Sequence, residues 1–197
     1  MIKAPRRALL ASALALPFIQ RAHAQTPWPD RPVRIIIPFG AGGPIDLVGR
    51  LLAEHLKERL GQPFIIENRP GAGGSIGIHT VVQSPPDGTA FVLTSASLAS
   101  VPALYPNRGL DPRTALAPVS LVADIPTAMV VRAASPYQSV QEVLAAARAE
   151  PGRLTYGSGG VGSSNHLSGA LFALAANLDL THVSYRGAAM AYQFSAI

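Results

Sequence analysis

Three times along this chain a short apolar run gives way to a Gly/Ser-rich loop and then to apolar residues at helical spacing, near residues 33–60, 64–83 and 154–177. This repeated order constrains the fold most, because strands alternating with helices return to parallel neighbours and build an α/β sheet. Val33-Arg34-Ile35-Ile36-Ile37-Pro38-Phe39 reads as a buried parallel strand. Gly40-Ala41-Gly42-Gly43-Pro44 follows, and Val48, Leu51, Leu52, Leu56 and Leu60 then mark a helix that Gly61 closes. Phe64 to Glu67 is a second strand, and the Gly-rich turn Arg69 to Ser75 opens a short helix to about Gln83. Phe91 to Thr94 is a third strand, ending in Ser95-Ala96-Ser97.

Residues 105–118 carry three prolines and read as loop, followed by strand candidates at Val119–Val122 and Met129–Val131. Ser139 and Glu142 form a capping box for a helix with Val140, Val143, Leu144 and Ala147 on one face. Leu154–Tyr156 is a strand, Gly157–Ser163 a loop, and Leu167, Ala170, Leu171 and Leu174 the next helix, before a strand at Thr181–Tyr185. In such folds ligands bind beyond the carboxyl ends of the strands, where helix N-termini offer N–H groups and positive dipole ends to an anion.

Residues 1–24 read as a secretory signal peptide. Lys3, Arg6 and Arg7 form a positive start, Ala8–Ile19 an apolar run too short to span a bilayer, and Ala22-His23-Ala24 a cleavage site before Gln25. The net charge of +5 comes mostly from this segment, which holds four of the sixteen Lys and Arg residues and none of the eleven acids. The remainder has no basic face in sequence, so no nucleic-acid partner is expected. There is no Cys, which removes disulfides, thiolate metal sites and a thiol nucleophile.

Gly157 to Gly162 fits G-x-G-x-x-G between a strand and a helix, the dinucleotide-binding context. The acid expected about 20 residues on is absent, with Tyr185-Arg186 in its place. Tight packing is one alternative. An anion cradle with Ser158, Ser163 and Ser164 as hydroxyl donors is the favoured one. Gly73-Gly74-Ser75-Ile76-Gly77 fits the hydrolase elbow G-x-S-x-G, but no strand runs directly into it, so a chance match is the better reading. His55, His79, His166 and His182 have no metal-site spacing, and no metal or cofactor is expected. His166 opens the helix after the Gly/Ser loop, as a structural cap or a ligand contact. Asp46 either complements the first helix dipole or shapes the loop before it.

Several stretches together resemble the Bug family, the extracytoplasmic solute-binding proteins of tripartite tricarboxylate transporters. They are Trp28–Val33, Pro38–Asp46, Glu67–Gly74, Pro86–Gly88, Pro102–Pro106, Ala117–Leu121, Tyr156–Leu167 and His182–Gly187, in order over nearly all of residues 28–189. The resemblance implies a non-enzymatic, periplasmic-binding-protein-like α/β fold. Two domains, residues 25–122 and 123–197, would face a cleft that takes a small carboxylated solute for the membrane components of a transporter. It places ligand contacts at Phe39, Gly42, Gly43, Asp46, Ser75, Ser95, Ser97, Ser158, Gly160, Gly162, Ser163 and His166.

The sequence departs from the family pattern in its first loop, where Ala41 precedes the glycine pair and Pro44-Ile45 stand before Asp46. The likeness fades after Ala189 and family members continue further, so a C-terminally truncated member with an incomplete second domain is expected. On that reading the helix after strand 181–185 is missing and apolar surface is left exposed. A nucleotide-binding α/β enzyme using Gly157–Gly162, or a non-functional remnant, are the alternatives.

Overall fold

The computed structural model describes residues 27–106 and 111–194, so the export segment expected over residues 1–24 lies outside it. Strand β1 (Val33–Ile37) runs at the centre of a parallel sheet in the order β2–β1–β3, between β2 (Phe64–Asn68) and β3 (Ala90–Val92). Val33, Ile35, Ile36 and Ile37 are all buried, which is why a run without polar alternation suits this position. Each such side chain contributes roughly 1.5–3 kcal/mol relative to exposure.

Helix α1 (Pro44–Leu60) covers one face of the sheet. Proline fits its first position because the missing N–H would have no intrahelical acceptor. Gly61 ends it in the left-handed region at φ 73°, donating to the Lys57 carbonyl. Ile35, Ile37 and Ala53 form the core there, with Phe39, Ile45, Phe64, Ile66 and Leu93 around them. Helix α2 (Ser75–Val82) follows a 3-10 turn at Ala72–Gly74 and packs on β1 and β3. Its Ile78 meets Val101, with Val82, Val92, Leu98 and Leu116 packed around the pair. A 3-10 turn at Ala96–Ser100 leads into the single-turn helix α3 (Val101–Leu104), and α4 (Pro112–Ala115) is another single turn.

A second parallel sheet pairs β4 (Thr155–Ser158) with β5 (Thr181–Ser184), Tyr156 opposite His182 and Ser158 opposite Ser184. Helix α5 (Val140–Ala149) precedes it behind the expected capping box, α6 (Ser164–Ala175) joins the two strands, and α7 (Ala188–Phe194) follows β5. Among the described residues every paired strand is parallel, and no helix is long and apolar enough to cross a membrane.

Several expectations are corrected. Val119–Val122 and Met129–Val131 are not strands; Val119 and Leu121 are 78% and 79% exposed. A strand needs a neighbour for its N–H and C=O groups, and no described strand lies beside these residues. The 105–118 stretch contains α4, because the Asp111 side chain accepts from the Arg113 N–H and caps a turn. The helix after β5, expected to be missing, is present as α7. The expected apolar exposure near the second sheet is seen at Val140, Leu171, Leu174 and Met190.

Candidate functional site

The carboxyl ends of β1, β2, β4 and β5 converge on a cleft of about 500 Å³. Pro38 and Phe39 line it after β1, Pro70 to Gly74 after β2, Gly159 to Val161 after β4, and Ser184 to Arg186 at the end of β5. Ile76 and Tyr105 complete the lining. The two walls touch through glycines. A Cβ on Gly40 would stand 2.5 Å from the Arg186 carbonyl oxygen, and one on Gly73 (φ 64°) 2.6 Å from that of Val161. Three hydrogen bonds tie the walls: the Tyr105 hydroxyl donates to the Val161 carbonyl at 3.1 Å, Ser100 to that of Gly162 at 3.2 Å, and Ser164 to Ser95 Oγ at 2.9 Å. A separate depression of about 410 Å³, bounded by Arg148 and Asp179, lies at the amino ends of β4 and β5, away from these loops.

Asp46 organises the first wall. It is 4% exposed, and its carboxylate accepts from the Gly42 N–H, the Arg50 guanidinium and the Asn68 amide. Burial pushes its carboxyl up, but the bonds from Arg50, Gly42 and Asn68 outweigh this and hold the pKa below the ordinary value. Asn68 also donates to the Phe39 carbonyl, so one carboxylate links the β1 loop to the end of β2. Next along, Glu67 accepts from Arg34 at 2.6 Å and from Arg69 at 3.0 Å. The Arg34 bond is the main cause that holds its pKa at about 2.

The start of α2 is different. It has no side-chain cap, and the cleft-lining N–H groups of Ala72 and Gly73 make no hydrogen bond among the described residues. Ser75, 1% exposed, has a buried hydroxyl without a partner. Among the described residues no base is hydrogen-bonded to that hydroxyl, as an activated serine would require.

The second wall is tied to itself. Ser158 Oγ sits 2.6 Å from His182 Nε2, and the Gly160 N–H donates to the same hydroxyl. Gly159 donates to Asn165 Oδ1 and Gly162 to His166 Nδ1. Ser163 Oγ caps α6 by accepting from the His166 N–H and lies 2.7 Å from the Gly160 carbonyl oxygen. The Tyr156, His166 and His182 rings cluster, Tyr156 stacked on His166 and the two imidazoles tilted by 40° with 4.1 Å between their centroids. Burial lowers both histidine pKa values, and His166 lowers that of His182 further. The Ser158, Ser163 and Ser164 hydroxyls, expected to form an anion cradle, each have a partner inside the protein, as do the N–H groups of Gly159, Gly160 and Gly162.

Of the residues singled out in the sequence, Phe39 and Gly160 line the cleft. Gly42, Gly43 and Asp46 stand behind the first wall, Ser75 at the start of α2, and Ser95 and Ser97 in the 3-10 turn that meets Ser164. Ser158, Gly162, Ser163 and His166 form the interior of the second wall. Tyr105, Tyr185, Arg186 and the His182 side chain were missed. Tyr185-Arg186 had a signal, its position directly after a strand.

Residues 48–194 match the family described as the tripartite tricarboxylate transporter family receptor. The chain is 37% identical over 187 residues to the UPF0065 protein in the tcbD-tcbE intergenic region of Pseudomonas sp. (strain P51), covering 94% of this chain and 56% of that protein. Among solved structures, the periplasmic binding protein BugD is similar with a TM-score of 0.79 at 35% identity, over 84% of this chain and 56% of its own. Rpa4515 of R. palustris, solved with adipate, gives 0.80 at 35% over the same shares. MatC from Rhodopseudomonas palustris, with bound malate, gives 0.77 at 31% over 84% and 57%. The chain spans about half the length of the curated relatives it matches.

Proposed function

The chain belongs to the tripartite tricarboxylate transporter receptor family, and on that premise we propose that it captures a small carboxylated solute outside the cytoplasm for the membrane components of such a transporter. The resemblance to the Bug family and the periplasmic-binding-protein fold both hold, and the family and its solved neighbours are solute-binding proteins rather than enzymes. The observation that carries the reading is the cleft lined by two free N–H groups, Ala72 and Gly73, beside the uncapped start of α2 and the unpartnered Ser75 hydroxyl. Buried or half-buried donors without acceptors favour an anion. Among the described residues no acid lines the cleft, and the carboxylates of Asp46 and Glu67 behind it are each tied to a guanidinium.

Support for a carboxylate comes also from the adipate and malate held by the two neighbours. The signal-like residues 1–24 support export to the periplasm, and residues 25–122 and 123–197 are read as the two halves that meet at the cleft. The rival nucleotide site at Gly157–Gly162 is disfavoured because the N–H groups of Gly159, Gly160 and Gly162 already donate within the protein. Calorimetric titration of the purified chain with a panel of di- and tricarboxylates, alongside thermal melts, tests the reading. Saturable binding and a raised melting temperature are expected for at least one; no heat and no shift for any of them would overturn it.

A further inference from the structure

We infer that Arg186 selects for a second anionic group on the solute, its guanidinium meeting that group from the wall opposite Ala72 and Gly73. The inference rests on the carboxylate-binding reading of the same cleft. Among the residues lining the cleft Arg186 is the sole charged one. It is exposed and makes no ion pair or side-chain hydrogen bond among the described residues, whereas Arg69, at the end of β2, is held by Glu67.

Its backbone is held in place. The Arg186 carbonyl oxygen lies so close to Gly40 that any Cβ there would collide, and Gly187 packs on the same glycine. The following helix α7 starts at once, with the Ala191 N–H on the Gly187 carbonyl. The side chain therefore leaves a fixed point at the carboxyl end of β5. A guanidinium matches a carboxylate with two parallel N–H donors, which the point contacts of backbone N–H groups do not offer. In a partly enclosed cleft with no competing acid, that attraction is less screened than at an open surface. The first carboxylate then takes the Ala72 and Gly73 N–H groups, and a second one on the same small molecule takes Arg186.

The test compares adipate with hexanoate, which keeps the six-carbon chain and loses one carboxylate. Calorimetry on the purified wild-type chain is expected to show adipate bound at least about tenfold more tightly, a difference typical of one charged hydrogen-bonding pair. In Arg186→Gln the adipate affinity falls by about 10- to 100-fold and hexanoate by far less, so the preference collapses; Arg186→Lys keeps part of it. Because the Arg186 side chain makes no ion pair or hydrogen bond among the described residues, both variants should melt within a degree or two of wild type, which separates lost contact from lost fold. Equal loss for both ligands, or an unchanged ratio in Arg186→Gln, overturns the role of Arg186 and leaves the carboxylate reading standing. A wild-type chain that binds neither these two nor any member of the carboxylate panel overturns both.

Discussion

Gly162 donates its N–H to Nδ1 of His166 at 3.1 Å, so this imidazole holds the Gly/Ser loop only while Nδ1 carries no proton. The ring faces His182, whose Nε2 meets the buried Ser158 hydroxyl. Two imidazoles so close, both half-buried, resist charging together.

Acidification should therefore loosen this wall. Burial lowers both histidine pKa values in the fold, so the unfolded chain takes up protons first as pH drops through its ordinary histidine range near 6.5. The contribution is intact above that range and is lost as pH falls through it toward the lower folded values. Melting curves followed by circular dichroism should show a midpoint that declines between about pH 7 and pH 5. His166→Asn keeps an acceptor for Gly162 without a titrating ring and should decline less; parallel curves for the two proteins would contradict the assignment.

Glu67 sets a second, lower window. The Arg34 bond is the largest cause that holds its carboxyl at about 2, against 4.5 for a free glutamate. A depressed carboxyl stabilises the fold above the unfolded value, and the benefit is lost as pH falls from there through the folded one. Arg34 and Arg69 are 38% and 50% exposed, so screening limits the contribution to about 1–2 kcal/mol. Urea denaturation at pH 7 and pH 3 should show Glu67→Gln differing from wild type at the higher pH, with the gap narrowed but not closed at the lower, which still lies above the folded value.

Asp46→Ala should cost about 2–4 kcal/mol, since it strands the Gly42 N–H and the Asn68 amide beside a buried gap. Asp46→Asn retains the shape and one acceptor and should cost less. The midpoint of chemical denaturation measures both, and a neutral Asp46→Ala would show that the carboxylate does not hold the β1 loop to β2.

Gly40→Ala and Gly61→Ala separate close approach from backbone conformation. At Gly61 a Cβ meets open space, and only the left-handed φ of 73° is penalised, by about 1 kcal/mol. At Gly40 the Cβ collides with the Arg186 carbonyl, so the two walls must part, at about 1–3 kcal/mol. Titration with the best-binding carboxylate should be weakened by Gly40→Ala and left unchanged by Gly61→Ala. Equal effects on binding would show that the Gly40–Arg186 contact does not shape the cleft.

What the sequence determined by itself is local. The span of α1 and its stop at Gly61, the capping box of α5 and the buried character of β1 all follow from chemistry within a few residues, where cap bonds and side-chain period act. What only the tertiary structure decided is which polar groups remain free. Ser158, Ser163 and Ser164 look like donors in sequence, yet His182, Gly160 and Ser95, the first and last of them far along the chain, consume them. The Ala72 and Gly73 N–H groups and the Arg186 guanidinium stay open because no acceptor among the described residues reaches them. The same holds for Val119–Val122 and Met129–Val131, whose composition suits a strand and which have no described neighbour to pair with. Strand pairing and donor availability depend on partners distant in sequence, and a run of residues does not contain its partners.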